Sequence, residues 1–207
     1  MIPLEPGKYY HIYNHANGHE NIFAEDRNYP FFLEKYRIHI APIASTLAYC
    51  LLPNHFHFFV QIREENELTK LVTFPKFETL EKLSKSEKRE NIEDRTCKYI
   101  SKQYANLFSS YTQAFNLTQN RKGSLFYKNF RRKEVTSDEY FIKLVNYIHF
   151  NPVIHGFCTS PSDWKYSSFE AITGNKNTLI ERGEVIERFG GLDNFFYCHR
   201  HPYDFDM

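Results

Sequence analysis

His55 and His57 stand two residues apart in Leu52-Pro53-Asn54-His55-Phe56-His57-Phe58-Phe59-Val60. In an extended strand, residues two apart share a face, so both imidazoles point one way while Phe56, Phe58 and Val60 point the other. Two imidazoles side by side on a rigid strand are a ready-made pair of metal ligands. Ten histidines in 207 residues also produce roughly half such a match by chance. A second match, His199-Arg200-His201, reads as tail composition. By spacing alone, His55 and His57 are either ligands or ordinary histidines.

A second candidate lies after Val135. Thr136 and Glu139 fit a capping box that starts a helix near Asp138. Phe141, Leu144, Val145 and Ile148 then follow helical spacing and form its buried stripe. Tyr147 falls at the edge of that stripe and Asn151 one turn further along the same edge. His149 projects from the opposite flank. By spacing alone Tyr147 reads as an amphipathic tyrosine at the core rim, with Tyr140 two turns earlier on nearly the same face.

A third candidate is a run of charge. Between residues 121 and 133 stand six basic residues, Arg121, Lys122, Lys128, Arg131, Arg132 and Lys133, and no acid. Phe126, Tyr127 and Phe130 are interleaved. Such a mixture suits neutralisation of a nucleic-acid backbone combined with base stacking. A strand edge protected by charge has the same composition.

The whole chain carries 26 Lys+Arg against 25 Asp+Glu, a net charge of +1, so any basic site is local. With 42% hydrophobic residues, the chain has the material for a packed core. No apolar run approaches a membrane span, and the start lacks the apolar stretch of a signal peptide. The four cysteines are far apart with no CxxC pair, so neither a disulfide framework nor a cysteine zinc site is indicated. The chain reads as a soluble cytoplasmic protein.

Elements able to position the candidates follow from pattern. Residues 9–15 are aromatic and β-prone, and residues 29–40 have helical spacing that Pro42 should end. Residues 43–52 and 55–62 are strands joined at Pro53-Asn54 as a hairpin. Residues 64–98 are a charged insertion, partly helical and solvated, or else a lid or DNA-facing arm. A helix over 99–117, a strand within 124–135 and a helix over 137–150, ended by Asn151-Pro152, complete the pattern. The last forty residues hold Trp164, a turn at Thr173-Gly174-Asn175 and a short amphipathic stretch near residues 184–189. The order β-α-β-β-α-β plus an extra helix predicts an α+β, ferredoxin-like split βαβ fold. Its antiparallel four-stranded sheet should have helices on one face, with the His-x-His strand inside.

These residues resemble a known group. The His55-Phe56-His57 segment resembles the histidine-hydrophobic-histidine motif of single-tyrosine HUH transposases. Tyr147-Ile148-His149-Phe150-Asn151-Pro152-Val153 is similar to the tyrosine-bearing signature of the REP-associated tyrosine transposases. Tyr10-His11-Ile12-Tyr13-Asn14, Gly123-Ser124-Leu125-Phe126, Asp163-Trp164 and Ser167-Ser168 fit the same branch in the same order. The resemblance covers residues 8–174 and implies a transposase domain over residues 1–174, with 175–207 a C-terminal extension. The family has an arginine in its early motif where this chain has His15.

The resemblance implies Tyr147 as the nucleophile and His55, His57 and Asn151 as ligands of Mg²⁺ or Mn²⁺. Ligand types alone also admit zinc. It further implies cleavage of single-stranded or hairpin DNA through a 5′-phosphotyrosine, by a monomer or homodimer. Two alternatives stand beside it. One is an HUH replication initiator or relaxase-like nuclease, disfavoured by the small size and the placement of the tyrosine motif. The other is a non-catalytic ferredoxin-like module that binds nucleic acid.

Overall fold

The computed structural model describes residues 2–72 and 92–201. Strands β2 (Ala44–Leu52) and β3 (His55–Ile62) form the expected hairpin around Pro53-Asn54. Strand β1 (Tyr9–His15) pairs antiparallel with the other edge of β3, and the short β4 (Arg131–Val135) pairs with β1. The sheet order is therefore β2-β3-β1-β4, the ferredoxin-like arrangement, with the His-x-His strand inside.

Helices α1 (Asn28–His39) and α3 (Ile92–Thr118) cover one face, where Phe32, Tyr104, Leu107 and Tyr111 meet Tyr10, Ile12, Phe56 and Phe58. A short α2 (Glu65–Val72) opens the charged insertion, whose residues 73–91 lie outside the described residues. Helix α4 (Asp138–Ile154) packs on the other face through Phe141, Leu144, Val145 and Ile148, against Leu47, Ala48, Cys50 and Phe59. The expectation of helices on one face is therefore corrected. A sheet whose inner strand buries Phe56 and Phe58 on one side and His55 and His57 on the other must be covered twice.

Several boundaries also differ from expectation, α3 among them, which begins at Ile92 and not at residue 99. Only residues 131–135 of the expected 124–135 strand join the ladder. Phe126 touches Ala16 in an isolated bridge, and Asn129, at a φ of 68°, turns the chain before pairing resumes at Arg131. Helix α4 runs through Asn151-Pro152 and ends one turn later. Its stop is Gly156, in the left-handed region at a φ of 73°. There Gly156 N–H reaches Val153 O and Phe157 N–H reaches Pro152 O, the double closure of a Schellman turn. At the other end Ser137, not Thr136, is the cap, its side chain accepting from Tyr140 N–H at 3.2 Å.

The chain after α4 covers the outer edge of β2. Leu51 N–H donates to Tyr166 O, Trp164 Nε1–H to Leu51 O and Tyr49 N–H to Ser168 Oγ. Helices α5 (Phe169–Thr173), α6 (Arg182–Arg188) and α7 (Leu192–Cys198) then close the α4 side, with Val185, Phe189, Phe195 and Cys198 in the same apolar cluster as the α4 stripe.

A buried polar chain ties α7 to α4. His199 Nδ1 lies 2.8 Å from Phe195 O, which can only accept, so Nδ1 carries the proton and Nε2 the lone pair. His149 Nδ1–H therefore donates to His199 Nε2 at 2.9 Å, and Ser168 Oγ–H donates to His149 Nε2 at 2.8 Å. Thus His199 is a packing partner and not tail composition, whereas His201 is exposed. Burial pushes the His199 pKa down to about 4 and that of His149 well below the ordinary range.

The pH dependence follows with a definite sign. Below about pH 6.5 the unfolded chain binds protons at these rings that the folded chain refuses, so stability falls until His199 itself protonates near pH 4. Urea unfolding between pH 7.5 and 4.5 should show this loss. In His199→Phe the slope below pH 6.5 should be shallower by up to about 1.4 kcal/mol per pH unit. Equal slopes would refute the assignment.

Candidate active site

Strand alternation sets the first half of the site. The β1–β3 register pairs Tyr13 with His57 and His15 with His55, so these four side chains share one face. His11 lies on the same face of β1. His55 and His57 are 3% and 4% exposed, their rings 5.3 Å apart and edge-on. Helical spacing sets the second half, because Tyr147 and Asn151 are one turn apart on the α4 edge that overhangs these histidines. The Tyr147 ring stands edge-on to His57 at 5.4 Å. His55 Nε2 and Asn151 Oδ1 are 2.9 Å apart. All four candidates inferred from the sequence thus meet on one face, and His149, as expected, points away.

The hydrogen-bond arithmetic at His55 is informative. Its Nδ1 faces Asn54 Oδ1 at 2.8 Å and its Nε2 faces Asn151 Oδ1 at 2.9 Å. Burial, the largest cause, pushes the His55 pKa down to about 4, so the ring is neutral near pH 7 and carries a single N–H. One N–H cannot satisfy two oxygens. With the proton on Nδ1, two lone pairs meet at 2.9 Å. A rotated Asn151 amide relieves the contact, and so does a cation between the two atoms. Two adjacent ligands at about 2.1 Å from a small hard cation lie about 3 Å apart. Among the described residues no three His, Cys, Asp or Glu side chains form a metal cage. Two imidazoles and an amide oxygen fit a cation that keeps open positions for water and an anionic oxygen.

Tyr147 is half-buried, and burial raises its pKa above the ordinary phenol value. Asn151 acts in the opposite sense, favouring the phenolate. The one amide thus turns its oxygen toward His55 while its presence favours ionisation of Tyr147. Tyr140 lies higher on α4, under Lys133 Nζ at 4.7 Å from its ring centre.

The basic run divides by strand alternation. Arg131 and Lys133 pair with Tyr13 and His11, so both lie on the site face and are exposed. Arg132 points to the opposite face, half-buried over the Phe130 ring at 5.0 Å. Arg121 clamps loops, paired with Glu20 and donating to Ser124 O at 2.8 Å and Gly123 O at 3.2 Å. Lys122 and Lys128 are exposed. Of the six, only Arg131 and Lys133 flank the tyrosine and histidines.

His11, His15 and His155, which no local pattern marks as site residues, join the same cluster. His11 Nε2 lies 2.8 Å from His57 Nδ1, His15 stacks on His55 at 4.6 Å, and His155 stands edge-on to His55 at 4.8 Å. The alternation of His11, Tyr13 and His15 on β1 was a usable signal once β1 is paired with β3.

No family model matches the chain. A protein of Haemophilus influenzae named "Putative REP-associated tyrosine transposase" is 25% identical over 126 residues, which is 60% of this chain. The chain spans 58% of that relative's length. The solved structure of a REP-associated tyrosine transposase bound to a REP hairpin matches with a TM-score of 0.52 and 17% identity. That match covers 89% of this chain and 90% of the other, so the two share a fold. Among the described residues no helix is long and apolar enough to cross a membrane.

The division of the basic residues is measurable without any ligand. Arg121→Ala breaks several hydrogen bonds of a mostly buried guanidinium and should destabilise the fold by roughly 1–3 kcal/mol in urea unfolding. Lys122→Ala and Lys128→Ala should stay within about 0.5 kcal/mol of the parent. An Arg121 variant as stable as the lysine variants would remove the clamp.

Proposed function

We propose that the chain is a metal-dependent tyrosine transposase-type nuclease and strand transferase that cuts single-stranded or hairpin DNA through Tyr147. The observation that carries this reading is the meeting of Tyr147 and Asn151 with His55 and His57, across about ninety residues of sequence, on one buried face. The similarity to REP-associated tyrosine transposases supports it. The catalytic domain we propose is residues 1–174, with 175–207 an extension that supplies α6 and α7. The protein would act in the cytoplasm, as a monomer or homodimer.

Burial makes Tyr147 a weaker acid than free phenol, so its ionisation needs positive charge nearby. Mg²⁺ or Mn²⁺, when bound, would supply that charge and polarise the phosphate. His55 Nε2, His57 and Asn151 Oδ1 would hold the ion, both rings being kept neutral by burial, so that a lone pair is available on each. Tyr147 Oη forms a bond to phosphorus, and the bond from phosphorus to the 3′ oxygen breaks. The phenol proton passes to water and the departing oxygen takes one from water, leaving a 3′ hydroxyl and a 5′-phosphotyrosine. Arg131 and Lys133, exposed on the same face, would neutralise the approaching backbone.

Tyr147→Phe removes one oxygen and little volume. A labelled hairpin oligonucleotide with Mn²⁺ should give a denaturation-resistant shifted band with the parent and none with Tyr147→Phe, while Tyr140→Phe keeps it. Chelation, His57→Ala or Asn151→Ala should reduce the yield by at least a hundredfold. A band that survives in Tyr147→Phe refutes the nucleophile. No band from the parent favours the non-catalytic binding module.

The DNA surface makes a separate claim. Replacing Arg131 and Lys133 by alanine should weaken oligonucleotide binding and lower the slope of log affinity against log salt by roughly 0.7 per lost contact. Lys122→Ala and Lys128→Ala should change that slope less. The reverse ranking would move the binding surface to the loop.

A further inference from the structure

Behind the candidate ligand His57, one buried contact remains without a role. His11 Nε2 and His57 Nδ1 lie 2.8 Å apart, between neighbouring strands, with 5% and 4% of the two residues exposed. Their rings stack at 5.1 Å and 25°, and Tyr13 stacks beside both, at 4.7 Å from His11 and 5.7 Å from His57. The β1–β3 register pairs His11 with Phe59 and Tyr13 with His57, so the two histidines are diagonal neighbours on one face. Lys133 lies opposite His11 on β4, so a positive charge already occupies that side.

Two neutral imidazoles share one hydrogen at such a contact, and its position decides the chemistry of His57. If His11 Nε2–H donates, His57 carries its own proton on Nε2 and has no lone pair left for a cation. If His57 Nδ1–H donates, its Nε2 lone pair is free, on the face that holds His55 and Asn151. A ligand imidazole commonly has its tautomer fixed by such a bond from its second nitrogen.

We infer that His11 is a positioning residue, whose Nε2 accepts the Nδ1–H of His57 and so holds that ring in the tautomer able to ligate a cation. This rests on the metal-dependent reading proposed above. The acceptor is another imidazole where a carboxylate or a backbone carbonyl is the usual partner. It leaves the site face free of added negative charge next to a phosphate path.

Ring-nitrogen correlation spectra of the metal-free, ¹⁵N-labelled full chain read the tautomer directly and need no variant. His57 should appear with its proton on Nδ1 and His11 with its proton on its own Nδ1. A His57 protonated on Nε2 overturns the inference whatever else is found. Mn²⁺ binding, followed by the spin-resonance signal of the free ion, supplies the second readout. His11→Phe keeps the ring and removes the acceptor, and should weaken Mn²⁺ binding by roughly 10- to 100-fold. His11→Gln, whose side-chain oxygen can accept the same proton, should recover most of it. Equal Mn²⁺ binding by parent and His11→Phe overturns the inference when His57→Ala still abolishes binding. If His57→Ala binds Mn²⁺ like the parent, the metal reading itself fails, and the tautomer spectra still decide the role of His11.

Discussion

The contact between His55 on β3 and Asn151 on α4 is the joint of this molecule. Both groups are buried, at 3% and 0% exposure, and each would cost about 1–3 kcal/mol if left unpaired. Their separation of 2.9 Å can persist only if helix and strand are held from elsewhere. The apolar stripe of α4 supplies most of that hold, with Phe141 against Phe59 at 4.7 Å and Leu144, Val145 and Ile148 fully buried. Gly156 stops the helix just beyond Asn151, so the site occupies its last turns.

The far side of α4 is secured by polar groups. His149, 0% exposed, passes a chain of hydrogen bonds from Ser168 to His199. Helix α7 and the segment that covers β2 are thereby joined to the same helix that carries Tyr147. Asn146 adds a further tie, donating to Cys198 O at 3.0 Å. The C-terminal helices, which carry none of the candidate site residues, are part of what fixes the tyrosine's position.

Burial has opposite consequences for the two kinds of side chain in the site. It lowers the pKa of His11, His55 and His57, which leaves their lone pairs available near neutrality. It raises that of Tyr147, which keeps the phenol protonated. One low-dielectric environment thus prepares ligands and withholds the nucleophile. Asn151 works against the second effect. The two sheet edges are treated differently as well. Residues 164–168 cover β2, whereas β4 is a terminal strand with exposed Arg131 and Lys133 beside the site. Charge protects that edge from pairing with another strand, and the same charge suits a polyanion.

Much of this was legible in the chain because it depends on local period. Alternation placed β1, β2 and β3 and put His55 and His57 on one face. Helical spacing put Tyr147 and Asn151 on one edge of α4. Long-range pairing was not legible. Nothing local marks His11 as the partner of His57, 46 residues away, or His199 as the partner of His149, 50 residues away. Arg132 looked equivalent to Arg131 and Lys133 until the β1–β4 register turned it to the other face, where it packs over Phe130. A slip of one residue in that register would exchange their roles. Periodicity names the side chains that share a face of one element, and it is set by bond geometry. Which faces meet is set by the burial of apolar surface between elements far apart in the chain, and that alone brought an amide, three imidazoles and a phenol together.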